Sequence, residues 1–394
     1  VMLDLSFSQG KSGKWIVADT AFSPDHLGKS EAVMVLGNGY MGLRSANEEP
    51  YLGERRNLFI NGTFNQADPN EVTELPNAAD TTQLDIRIDG ERFSLEFGEV
   101  EQYSKQLNLN EAELMRSFKW TSPKGKKLQF CFRRFVSLKN LHLIGMQLEI
   151  TNLGAAVDLS IGSGINAQMT NSGVQHFQEG HQRIAENRFI QLTQTTAQSG
   201  IDFVHTAVHS FRLNDEEITA EAERNMERRR VWMVFGIELG PNDRFEMEKL
   251  STVHTSRDKE LAAETYSLES LQMKALTELE ELEQKGYQLS MEEHRAVWQE
   301  QVWDTGDVEI DSEHPEDQLA LRSAIYHLAA MAPAHDERMG IGAKALSGEG
   351  YKGHSFWDTE IFILPVFIYS KPEAARSLLL YRYHGLPGAR KKAD

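Results

Sequence analysis

From about residue 15 to residue 255 apolar and polar residues alternate with a period of two, as expected of strands that bury one face. Leu84, Ile86 and Ile88 alternate with Asp85, Arg87 and Asp89. Asp89-Gly90 then supplies a hairpin turn, after which Phe93, Leu95 and Phe97 resume the pattern. Ile144, Met146, Leu148 and Ile150 repeat it, as do Val231, Met233, Phe235, Ile237 and Leu239. Such long strands without intervening helices predict a large antiparallel β-sandwich over residues 1–258. Asn57 to Asp80, rich in Asn, Pro and Thr, reads as a long surface loop.

Near Lys259 the period changes. Leu268, Leu271, Ala275, Leu279 and Leu282 recur at three- and four-residue spacing amid Glu and Lys, which predicts an amphipathic helix. Gly286 interrupts it, and a second stretch runs through Trp298, Val302 and Trp303, so residues 259–306 read as a helical linker. With too few heptads for a coiled coil, it is a strut. From residue 307 onward helix follows helix. One starts at Pro315-Glu316-Asp317, with Leu319, Ile325, Leu328 and Ala329 inside. Another starts near Trp357, with Trp357, Ile361 and Leu364 on its apolar face, and Pro365 should end or kink it. A third spans Glu373 to Tyr383 and carries Ala374, Leu378 and Tyr381.

A chain of 394 residues with 40% hydrophobic and 9% aromatic residues has ample material for a globular core. The net charge of −18, with no compact basic stripe, argues against nucleic acid as a partner. Lys124-Gly125-Lys126-Lys127 reads as a turn and Arg228-Arg229-Arg230 as a solvated strand entry. The single Cys131 cannot form an internal disulfide, and no stretch approaches the ~18 apolar residues of a membrane span. The start, Val1-Met2-Leu3-Asp4, lacks the basic and apolar regions of a secretory leader, so the expected setting is cytoplasmic. His142, His176, His181, His205 and His209 show no metal-ligand spacing. His205 and His209 are four apart, but in a strand-like segment, so neither a metal nor a cofactor is expected.

The richest chemistry lies in Gly348-Glu349-Gly350-Tyr351-Lys352-Gly353-His354-Ser355-Phe356-Trp357-Asp358-Thr359-Glu360. Indole and phenyl rings offer flat apolar faces to the C–H side of a pyranose, and a carboxylate beside them can accept strong hydrogen bonds from ring hydroxyls. The glycines allow close backbone approach or positive φ. The segment therefore reads as a sugar-binding loop opening into a helix. On its residues alone, Trp357 reads as a core aromatic and Asp358 as a carboxylate favoured by the helix N-terminus. Asp358 and Glu360 lie roughly 200° apart round a helix and cannot flank one bond. Glu360 reads as a supporting or capping residue, Glu349 as a loop carboxylate. Lys352 and His354 are equally readable as ligand contacts or as surface and core residues.

Gly348 to Glu360, followed by Ile361-Phe362-Ile363-Leu364-Pro365 and by Tyr381-Arg382-Tyr383-His384-Gly385-Leu386-Pro387-Gly388-Ala389-Arg390, resembles glycoside hydrolase family 65. Leu36-Gly37-Asn38-Gly39-Tyr40-Met41-Gly42-Leu43-Arg44, with Glu48-Glu49, is similar to that family's N-terminal signature. In its own right this block reads as a tight turn between strands, with Arg44 and Glu48 as structural ion partners, and not as a nucleotide loop. The resemblance implies a multidomain chain: a β-sandwich, a helical linker and, over 307–394, the first helices of an (α/α)6 barrel. About 85 residues after the linker are too few to close such a barrel at ~10–14 residues per helix, so the barrel is expected to be incomplete.

The family consists mostly of disaccharide phosphorylases. The resemblance implies an inverting enzyme that uses inorganic phosphate to split a glucosyl disaccharide, maltose by default, into β-glucose 1-phosphate and a sugar. Phosphate is itself a nucleophile, so one protein acid suffices where a hydrolase needs two carboxylates. In the family that acid, a glutamate, and the phosphate-binding motifs come later than Asp394, so no catalytic residue is expected here and the chain alone should be inactive. What carries over is a glucose-binding wall: Trp357 and Asp358 first, with Phe356, His354, Lys352 and Glu360. The family also implies a homodimer and a sandwich loop that reaches the active site, for which Asn57 to Asp80 is the candidate. The Met331 to Gly340 segment is a candidate for acceptor choice. A hydrolase of the same family and a non-catalytic sugar-binding fragment are the alternatives.

Overall fold

The structure, a computed structural model, describes residues 11–263 and 266–393; Val1 to Asp4, on which the leader expectation rests, lie outside them. Strands dominate as far as Thr255, and every named ladder is antiparallel. The largest sheet runs in the order Ile16–Asp19, Glu99–Asn108, Glu113–Thr121, Lys127–Val136, Leu143–Asn152, Arg244–Thr255, Asp202–Leu213, Phe189–Thr195 and His181–Ala185. A second sheet orders Ala222–Glu227, Arg230–Leu239, Val157–Asn166, Leu84–Ile88 and Glu91–Arg92. Between them lies one core, to which the first sheet gives Phe118, Phe130, Leu148 and Met247 and the second gives Ile86, Ile161, Met233 and Phe235. The alternation thus marks real inner faces.

It fails where a strand is covered on both sides. Leu143–Asn152 is buried continuously over its first four residues because the long helix Leu268–Trp298 packs on the outer face there, against Phe135, Leu143, Val208 and Leu250. The helix starts with a capping box in which Ser267 and Ser270 exchange side-chain and backbone bonds. Gly286, at φ 74°, kinks it as expected. A π-helical turn, Gln299–Trp303, follows and delivers Trp303 beside Trp15.

Several expectations need correction. The Asp89-Gly90 turn forms with both residues at positive φ, but the returning strand is only Glu91–Arg92, and Phe97 is exposed. In the helix Pro315–Met331 Gln318, Leu319, Arg322, Tyr326 and Ala330 are buried, while Ile325, Leu328 and Ala329 are half-buried and still pack against the cores. Pro365 does not end its helix. The turn before it, Thr359–Ile363, is π-helical and the chain continues as Leu364–Ser370; the wider turn accommodates a ring that would otherwise clash with the preceding turn. The last helix, Pro372–Ala393, is longer than expected and passes through Pro387.

The expected surface loop, Asn57 to Asp80, is exposed only around residues 67–72. Leu58–Ile60 forms a strand of a small third sheet with Leu36–Gly37 and Met41–Leu43, and Asn65, Asn77 and Asp80 are buried with their side chains bonded. Its asparagines and threonines satisfy an irregular backbone inside the protein instead of facing water.

The Gly37–Gly42 turn joins the strands to the helices. Asn38 accepts bonds from the Tyr40 and Met41 amides and donates to the Ser137 and Leu141 carbonyls. Gly39, at φ 80°, donates its amide to the Ala330 carbonyl, and a Cβ there would lie 2.1 Å from the Ala332 carbonyl oxygen. Arg44 and Glu48 are structural ion partners, each with a different residue: Arg44 with Glu31 at 3.0 Å, and Glu48 with buried Arg116 at 2.7 Å. Burial pushes the Glu48 carboxyl up, but Arg116 and Arg134 outweigh it and hold its pKa below the usual range. Among the described residues, no helix is long and apolar enough to cross a membrane.

Candidate functional site

The Gly348 to Glu360 run begins with strained backbone. Tyr351, Lys352 and Gly353 are successively left-handed, at φ 56°, 55° and 80°. Such a conformation costs a side-chain-bearing residue about 1–2 kcal/mol, so it persists only where the surroundings enforce it. Those surroundings come from the Asn57 to Asp80 segment. The Leu75 amide donates to the Lys352 carbonyl at 3.1 Å, Lys352 Nζ pairs with Glu71 at 2.8 Å, and Gly353 leaves room for Leu75, whose Cδ1 would sit 2.6 Å from an added Cβ. The bond to Glu71 raises the Lys352 pKa. His354 Nε2 lies 2.5 Å from the Thr73 carbonyl oxygen, with its ring against Phe64. Lys352 and His354 are therefore engaged with this segment. The sandwich loop does reach the run, although it is largely buried.

Beyond His354 the run turns outward. Trp357 is 69% exposed in this chain, and Phe356 is 42% exposed. The π-helical turn rotates Thr359, Leu364 and Phe367 inward, so Ile361 joins Trp357 at the surface. Thr359 anchors the turn by donating to the Ile341 carbonyl at 3.1 Å. Glu360 takes the supporting position: its carboxylate accepts two bonds from Arg382, at 2.7 and 2.9 Å, and Arg382 also donates to the Phe356 carbonyl. The Glu360 bond raises the Arg382 pKa, keeping the clasp charged. Asp358, half-buried at the head of the helix, makes no side-chain hydrogen bond or ion pair among the described residues. Trp357, Asp358, Phe356 and Glu360 thus share one edge. Lys352 and His354 face the other way, and Glu349 bonds Ser172.

A crevice of about 290 Å³ lies where Gly353 and Ser355 of the run meet Asn61 and Phe64, and is lined also by Ser199, Arg257, Arg338 and Tyr381. Arg338 is clamped bidentately by Asp336 and donates to the Arg257 carbonyl. Burial, then the neighbouring Arg338, lowers the Arg257 pKa, and its buried Nε has no partner among the described residues. Sequence reasoning reached Arg338 only through the Met331 to Gly340 segment and missed Arg257, Ser199 and Asn61. They come from separate strand ends and loops, and no local pattern links them.

The fold, a large antiparallel sandwich braced by a long helix and leading into further helices, puts an exposed indole and a carboxylate without a partner among the described residues at the head of one of those helices. The glycosyl hydrolase family 65 N-terminal domain matches residues 17–301, and that family's central catalytic domain matches 322–394. The chain belongs to glycosyl hydrolase family 65. It is 44% identical over 389 residues to a kojibiose phosphorylase of Halothermothrix orenii, covering 98% of this chain and 49% of that protein. It is 35% identical over 377 residues to the kojibiose phosphorylase of Escherichia coli, covering 96% and 48%. Trehalose, nigerose and maltose phosphorylases match at 26–28%. A solved structure described as a putative kojibiose phosphorylase from the human microbiome superposes with a TM-score of 0.83 at 21% identity, over 95% of this chain and 49% of that one, which shows the fold. The chain spans about half the length of the curated relatives it matches.

Proposed function

We propose that this chain supplies the sandwich, linker and first (α/α)6-barrel helices of an inverting disaccharide phosphorylase. The enzyme transfers the glucosyl group of an α-glucosyl disaccharide to inorganic phosphate, giving β-glucose 1-phosphate and a free sugar. The observation that carries the reading is Trp357, 69% exposed, beside an Asp358 carboxylate without a partner in the described residues. The indole takes the apolar face of the glucosyl ring and Asp358 accepts bonds from its hydroxyls. Phe356 extends the apolar wall, and the Glu360–Arg382 pair fixes both. Lys352 and His354 act from behind, holding the loop through Glu71 and Thr73. Inversion needs an acid on the leaving oxygen and a nucleophile on the opposite ring face, which phosphate provides. The acid is the glutamate expected beyond Asp394.

Kojibiose replaces maltose as the favoured substrate, because the relatives at 44% and 35% identity carry that name and the maltose phosphorylase stands at 26%. The crevice between Arg338, Ser355 and Tyr381 is the proposed acceptor side. A cytoplasmic homodimer completes the reading. The test is to incubate the native protein with kojibiose, nigerose, trehalose or maltose, with and without phosphate. Phosphate-dependent release of glucose 1-phosphate, fastest from kojibiose, is expected; phosphate-independent release of glucose would point to hydrolysis. Asp358→Ala should cut turnover at least about 100-fold by misplacing the sugar, and near-normal phosphorolysis by that variant would sink the site assignment.

A further inference from the structure

We propose that His142, His254 and Glu278 form a binding site for a first-row divalent cation, zinc by preference, at the joint between the sandwich and the long helix. The three residues converge from distant parts of the chain. His142 precedes the strand Leu143–Asn152, His254 lies near the end of Arg244–Thr255, and Glu278 projects from the helix Leu268–Trp298. Glu278 Oε1 is 3.3 Å from His142 Nδ1, and Glu278 Oε2 is 2.9 Å from His254 Nε2. One donor atom from each residue falls within 4.8 Å of the others. Imidazole nitrogen and carboxylate oxygen bind zinc at about 2.0–2.2 Å, which places donors round a tetrahedral ion roughly 3.3 Å apart. Glu278 already stands within reach of both rings, and closing on one ion requires the two imidazoles to swing apart from their present stack.

The surroundings of His142 are those of a metal ligand, whereas buried His254 Nδ1 has no partner among the described residues. Metal-binding histidines donate their second ring N–H to a carboxylate, which fixes tautomer and ring orientation. His142 Nε2 lies 3.2 Å from Asp258 Oδ2, and buried Asp258 is itself held by the Tyr40 hydroxyl at 2.8 Å and by the Thr255 hydroxyl and amide. Asn140 Nδ2 donates to Glu278 Oε1 at 2.8 Å. The two rings stack with centroids 3.9 Å apart, so their ring nitrogens stand close to one another. A divalent cation also balances the two carboxylates Asp258 and Glu278. A cavity of about 600 Å³ opens on Glu278 and leaves a fourth position for water or an exchangeable ligand. Two nitrogens and one carboxylate with an open position suit zinc or its first-row neighbours better than calcium or magnesium, which prefer oxygen shells.

Because Tyr40 belongs to the turn that grips Ala330, the cation would brace the strands, the long helix and the helices that carry the glucose wall. The test is stripping the purified chain with a chelator and titrating it with zinc and with cobalt(II) by calorimetry and visible absorption. One equivalent per chain, cobalt d–d bands of a four-coordinate site and a zinc-dependent rise in melting temperature are expected. Glu278→Gln and His254→Gln should each weaken zinc binding at least about 100-fold, and Asp258→Asn about 10–100-fold. Exposed His314→Ala should leave it unchanged. Wild-type stoichiometry and the cobalt spectrum stand even if a variant fails to fold. Binding of less than about 0.1 equivalent, or unchanged affinity in both ligand variants, would overturn the assignment.

Discussion

Arg382 holds the Phe356 to Glu360 edge, proposed above to face the sugar, and replacing it measures how far that edge depends on preorganisation. Arg382→Ala deletes two bonds to Glu360 and one to the Phe356 carbonyl. The two side chains are 37% and 30% exposed, so solvent screening limits the ion pair to about 0.5–1 kcal/mol. The carbonyl bond adds about 1 kcal/mol. Together, about 1.5–2 kcal/mol favours the conformation in which Phe356, Trp357 and Asp358 stand ready. At 1.4 kcal/mol per factor of ten, its loss lowers the ready population, and hence the apparent glucose affinity, about 10–30-fold. Glucose quenching of tryptophan emission in the native protein reads this directly, with Trp357→Phe removing the signal. Arg382→Lys should fall between wild type and Ala. An Arg382→Ala protein that binds glucose as tightly as wild type would refute the clasp. So would a fall of many degrees in melting temperature, which would make Arg382 a general support and not a local one.

Gly39→Ala should destabilise the chain by about 2–4 kcal/mol in urea denaturation, through left-handed strain and loss of the bond to Ala330. A change below about 0.5 kcal/mol would show that the turn can shift freely. Arg116→Leu leaves buried Glu48 with the longer contact to Arg134 and buried Glu49 with the Tyr51 hydroxyl, and should cost about 3–5 kcal/mol; adding Glu48→Gln and Glu49→Gln should recover part of it. Burial lowers the His294 pKa to about 3, and its Nδ1 accepts the Leu138 amide, so the folded protein keeps the ring neutral while the unfolded chain protonates it near pH 6.5. Its contribution is intact above pH 6.5 and is lost as the pH falls towards 3, at up to about 1.4 kcal/mol per pH unit. The urea midpoint of His294→Gln should therefore fall less steeply than that of wild type between pH 6 and pH 4.

The strands were legible because one face meets a core and the other does not. Leu84, Ile86 and Ile88 alternate for that reason, and Leu143–Asn152 stops alternating where the long helix covers it. Composition misleads at Asn57 to Asp80, since asparagine and threonine satisfy buried irregular backbone as readily as they face water. The π-helical turns at Gln299–Trp303 and Thr359–Ile363 have no simple residue signature, and the second of them turns Trp357 and Ile361 from an expected inner face to the surface. Part of the candidate site could be read because Phe356, Trp357, Asp358 and Glu360 are contiguous. Arg382, Arg257 and the His142, His254 and Glu278 group could not, since each acquires its meaning only when the chain brings distant segments together.

The grip of residues 71–75 on Lys352 to His354 has a consequence for domain exchange. A strained stretch of the helical part is shaped by side chains and amides encoded some 280 positions earlier, with Ser172 on Glu349 and Arg44 on the Ser347 carbonyl as further links. A hybrid that grafts another relative's helical part onto this sandwich would therefore inherit a mismatched cradle. Laboratory recombination would do best to place its crossovers so that Glu71 to Leu75, Ser172 and the glycine-rich run travel as one module.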